Sequence, residues 1–111
     1  MRRIIQVPEG ARPETPGLPS LAMAESVWEE GYSLVIDELA DGTLQTFWMH
    51  YYGASAEMVI SGQQLTGFRK EIMAAAQNCT SKPAVLEFLM QLARICARAR
   101  RQKHSLHVVA D

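Results

Sequence analysis

A chain of 111 residues with 48% hydrophobic content can close one core and is short for two, so a single domain over residues 1–111 is expected. Lys and Arg nearly balance Asp and Glu, and the formal charge of −1 excludes bulk attraction to nucleic acid or an anionic membrane. No stretch approaches the ~20 apolar residues of a membrane span, and the amino terminus lacks a signal-peptide core, so a cytoplasmic location is expected.

The balance conceals a division. Between Glu9 and Glu57 the only basic residue is Arg12, whereas between Met58 and Ala110 the only acidic residues are Glu71 and Glu87. An acidic half and a basic half are expected. Cys79 and Cys96 are too few for a disulfide framework, and reduced thiols follow.

In chain order, Arg3 to Val7 suits a short strand that Pro8 stops. Pro8, Pro13, Pro16 and Pro19, with Gly10 and Gly17, make residues 8–19 an irregular Pro-rich arm. Ser20 is placed to cap a short helix carrying Leu21, Ala24, Val27 and Trp28 on one side and ending at Gly31. The competing reading, in which residues 24–31 extend the next strand, is slightly less favoured.

The stretch 32–52 reads as a β-hairpin, because Asp41-Gly42 suits a two-residue type I′ turn. That turn pairs Ile36 with Phe47 and Leu34 with Met49. Tyr32, Leu34, Ile36, Phe47, Met49 and Tyr51 then form a core face, and Ser33, Val35, Asp37, Thr46, Trp48 and His50 an open one. Residues 57–60 suit a third strand. Ser61 and Gln64 fit a capping box opening a helix over about residues 62–77. Ser81 and Pro83 open a longer helix over about 82–103, whose stripe includes Val85, Leu89, Leu92 and Cys96. Residues 105–110 alternate as a closing strand at a sheet edge.

The fold expected is α+β: an antiparallel β-sheet built on the central hairpin 32–52, two C-terminal helices packed on one face, and a final C-terminal strand. Phe47, Leu34, Ile36, Leu65, Phe68, Leu89 and Leu92 should share the core.

No Gly-rich phosphate loop, HExxH, CxxC or G-x-S-x-G is present. A non-enzymatic protein without a cofactor is therefore expected. Cys96, His104 and His107, with Cys79 or His50, match no common zinc spacing, so no metal is assigned.

Trp48 beside Val35 on the open face, with Asp37, Glu38, Asp41 and His50 around it, makes a hydrophobic anchor with an acidic rim. That pattern predicts a surface for a basic partner protein. The competing structural reading has Leu18, Leu21 or Trp28 folding over Trp48 as a second small core. The alternative function is nucleic-acid association through Arg94, Arg98 and Arg101 on the second helix. It is disfavoured because no aromatic residue interleaves the basic run 98–104. In general profile, a small cytosolic α+β chain with exposed aromatics and no catalytic set resembles the immunity and inhibitor proteins that neutralise bacterial toxins. That resemblance implies a protein-binding role and assigns no residues.

Overall fold

The computed structural model describes residues 2–38, 42–49 and 58–110. Its strands are β1 (Arg2–Val7), β2 (Ser20–Met23), β3 (Met58–Ile60) and β4 (Ser105–Ala110). They form one antiparallel sheet in the order β2-β1-β4-β3. The helices are α1 (Glu25–Tyr32), which runs into a π-helical segment Ser33–Glu38, then α2 (Thr43–Met49), α3 (Leu65–Gln77) and α4 (Pro83–Gln102). The architecture is α+β, with α3 and α4 packed against the sheet.

Register decides which side chains meet the helices. Ile4 lies opposite Leu21 on one side and Val108 on the other, and Leu106 lies opposite both Gln6 and Ile60. Because side chains alternate, Ile4, Gln6, Leu106, Val108 and Ile60 share the inner face, and all are buried. The core above them includes Leu34, Phe47, Leu65, Phe68, Leu89 and Leu92, with Ile36 partly buried at its margin. Phe47 sits centrally in it, with ring centroids 6.0 Å from Phe68, 6.5 Å from Phe88 and 6.0 Å from Trp48.

The sheet is not built on a hairpin at 32–52. Residues 32–38 and 43–49 of that stretch are helical, and Tyr32 and Met49, assigned to a core face, are 40% and 61% exposed. Buried and partly buried side chains recur instead at Val27, Trp28, Gly31, Leu34 and Val35, and again at Leu44, Phe47 and Trp48, which are helical intervals. A hairpin would have left Val35 and Trp48 on its open face. The helical solution buries both, and complete burial of a large apolar side chain is worth roughly 1.5–3 kcal/mol.

Other boundaries move for local reasons. Ser20 begins strand β2 instead of capping a helix, and α1 starts after Ala24 with no side-chain cap. Gly31 lies inside α1 and does not end it. At the start of α3, Gln64 Oε1 accepts from the Ser61 amide at 3.0 Å, half of the expected capping box. Strand β4, expected at a sheet edge, is instead central, paired with β1 on one side and β3 on the other, and its fully buried Leu106 and Val108 suit an interior strand.

Candidate functional site

The expected open face is divided: Ser33 and Thr46 are exposed, but its apolar members are interior. Val35 and Trp48 are fully buried. Trp48 Nε1 donates to the Trp28 carbonyl at 2.9 Å, and Trp28 Nε1 donates to the Trp48 carbonyl at 2.8 Å, so the two indoles clasp α1 to α2. A Cβ on Gly31 would stand 2.5 Å from Trp48 Cζ2, so only glycine lets the indole lie this close to α1. The hydrophobic anchor of the proposed acidic surface is thus a core residue, and Val35 is another. Asp37 and Glu38 lie in the π-helical segment; Asp41 and His50 fall outside the described residues. Of the residues expected to cover Trp48, Trp28 contacts it by hydrogen bonding. The Pro-rich arm lies elsewhere: Pro13 and Glu14 line a groove with Val59, His107 and Val109 of the sheet.

The basic residues remain outside. Arg94, Arg98 and Arg101 are exposed on α4 at helical spacing, and the helix carries no acidic residue after Glu87. Arg94 and Arg98 flank a groove of about 190 Å³ whose other walls are Pro19, Ser20, Leu21, Gln91 and Ile95. Strand β2 forms one side of it. The Gln6 amide donates to the Pro19 carbonyl at 2.9 Å. Hydrogen-bonded pairs alternate along an antiparallel ladder, so Leu21 and Met23 turn their backbone groups to β1. Ser20 and Ala22 turn theirs away, toward a side where no described strand lies.

A second cleft, about 770 Å³, opens where α4 turns into β4. It is lined by Glu9, Val59, Ser61, Gly62, Gln63, Arg100, Lys103, His104 and Ser105. Lys103 holds the left-handed conformation, φ 58°, that ends α4. Beneath it Gln6 donates from Nε2 to Gln102 Oε1 at 2.7 Å and lies 2.8 Å from His104 Nδ1. Sequence reasoning passed over Gln6, although a polar residue in phase with Ile4 on a buried strand was the available signal.

Burial pushes the Cys96 thiol up to about 12, with Arg69 opposing, and raises Cys79 too, so both are neutral thiols. Burial lowers His107, against the raising influence of Glu14. No group of three or more metal-ligating side chains occurs among the described residues, and none of their helices is long and apolar enough to cross a membrane. Comparison with protein-family models, curated proteins and solved structures found no match.

Proposed function

We propose that this protein is a non-enzymatic protein-binding module of the inhibitor or immunity type, and that it captures an extended acidic segment of its partner. The observation that carries this reading is the groove where the open edge of β2 meets Arg94 and Arg98. An added strand would take the outward backbone groups of Ser20 and Ala22, set an apolar side chain against Leu21 and Ile95, and set carboxylates against the two guanidinium groups. Arginine around an apolar centre is characteristic of protein interfaces. The expectation of a basic partner is not carried over, because it depended on Val35 and Trp48 being at the surface.

The test is fluorescence polarisation with a labelled peptide alternating Glu and Val. Saturable binding is expected, weakened ~10-fold or more, about 1.4 kcal/mol, by Arg94→Gln/Arg98→Gln. Ala22→Pro should weaken it similarly, since proline blocks only the outward amide. Equal binding of a Lys-Val peptide would refute the reading. The exposed row Arg94, Arg98 and Arg101 supports a second reading, nucleic-acid association. Tight, steeply salt-dependent binding of a single-stranded oligonucleotide that needs Arg101 would favour it.

A further inference from the structure

The cleft at the α4–β4 turn is remote in chemistry from the β2 groove, and its construction is unusual for a plain surface hollow. Gln6 occupies an inward position on the central strand β1, opposite Leu106, where its neighbour in phase is Ile4. It is 1% exposed, and its Oε1 has no hydrogen-bond partner among the described residues. An aliphatic residue there would avoid the desolvation cost of the amide. What the amide accomplishes is to orient His104, whose Nδ1 stands 2.8 Å from Gln6 Nε2; in the tautomer whose Nδ1 accepts from that amide, the proton is on Nε2. His104 itself lines the cleft.

Lys103 adds to this. The left-handed position after a helix is ordinarily glycine, and a side chain there carries a conformational cost. Here the position is taken by a cationic residue, and both Lys103 and Arg100 line the cleft. The opposite wall is the turn 61–63 that leads into α3, and Gly62 stands against the His104 carbonyl.

We propose that this cleft binds a small phosphate monoester, its phosphate held by Arg100, Lys103 and the imidazole of His104. Arginine and lysine together suit an oxyanion, the first by its planar fork and the second as a point charge. The volume of about 770 Å³ exceeds what a lone phosphate fills and falls within the usual range of small-molecule sites. The rest of the ligand is constrained by Glu9, an exposed acidic residue that also lines the cleft. It disfavours polyphosphates by repulsion and accepts hydrogen bonds from a hydroxylated or aminated body. The class that fits is a phosphorylated polyol or sugar. Gln6 is a positioning residue, acting through His104.

The test is an amide NMR titration of the full chain with glycerol 3-phosphate and inorganic phosphate, at ionic strength held constant with chloride. Saturable shifts are expected at residues 61–64 and 100–105, with glycerol 3-phosphate binding more tightly than phosphate. Arg100→Gln/Lys103→Gln, two exposed positions, should abolish them, while Arg94→Gln should leave them unchanged. Gln6→Leu should weaken glycerol 3-phosphate about fivefold and move the His104 ring nitrogen signals, which a purely structural role for the amide would leave in place. Shifts that are absent, are matched by chloride alone, or survive in Arg100→Gln/Lys103→Gln would overturn the proposal.

Discussion

Replacing Gly31 by alanine ought to help a helix, since glycine in a helix interior costs about 1 kcal/mol relative to alanine. The Trp48 ring reverses that expectation. Three of its atoms lie within 3.3 Å of where the new methyl would stand, and a fully buried indole held by a hydrogen bond has nowhere to go. Overpacking of this kind costs ~1–3 kcal/mol. Gly31→Ala should therefore lower the denaturation midpoint in urea, and a raised midpoint would show that α1 and Trp48 are not in contact. Lys103 presents the opposite case. Its left-handed backbone is relieved by glycine, so Lys103→Gly should stabilise the fold by about 1 kcal/mol in the same assay. The same change removes one of the cations proposed to hold phosphate, so stability and binding should move in opposite directions.

At the scale of elements, periodicity was decisive wherever one period alone fitted. In α3 and α4, Leu65, Phe68 and Ile72, and Val85, Leu89, Leu92 and Cys96, fit only a helix, and both helices lie close to their expected bounds. Strand β4 was legible from the alternation of Leu106 and Val108, and β1 from its β-branched residues before Pro8. Between Tyr32 and Tyr52 both periods fitted. Leu34, Ile36, Phe47 and Met49 alternate well enough for strands, and Asp41-Gly42 supplied a turn that tipped the reading. The feature that separates the two is Gly31 followed by Leu34 and Val35, a helical spacing that begins outside the window read as a hairpin. The candidate sites were harder to see. Arg94, Arg98 and Arg101 were visible as a stripe, but the grooves depend on which element lies beside α4, and that is set by long-range pairing of β1 with β2 and β4.

Considered whole, the molecule arranges its charge along α4. Glu25, Glu29 and Glu30 are exposed on α1, which is joined to the start of α4 by Lys82 Nζ donating to the Glu30 carbonyl at 2.7 Å. The arginines occupy the other half, with Arg100 and Arg101 in the last turn, where cations oppose the helix dipole. The outer face of the sheet brings a pH dependence. Burial holds His107 below its ordinary value of 6.5, so the fold favours the neutral ring. The unfolded chain therefore gains protons first as the pH falls, and stability present above about 6.5 is lost below it. Melting temperature should decline on acidification from pH 7, and His107→Gln should flatten that decline. Glu14→Gln, by removing the carboxylate that favours the charged ring, should steepen it. Identical pH profiles for all three proteins would remove His107 from the account.

The clasp between Trp28 and Trp48 also gives the protein a private signal. These are its only two tryptophans, and each indole is hydrogen-bonded to the backbone of the other. Intrinsic emission therefore reports on the joint of α1 with α2 and, because the Trp48 ring stands edge-on to Phe88 with centroids 6.2 Å apart, on the seating of that joint against α4. Far-ultraviolet circular dichroism weights the long helix α4 most heavily. If the chain unfolds in one step the two optical traces will superimpose along a denaturant gradient. If the joint opens while α4 stays docked on the sheet, the emission will shift to the red first, and the gap between the traces measures how independently that corner of the molecule moves.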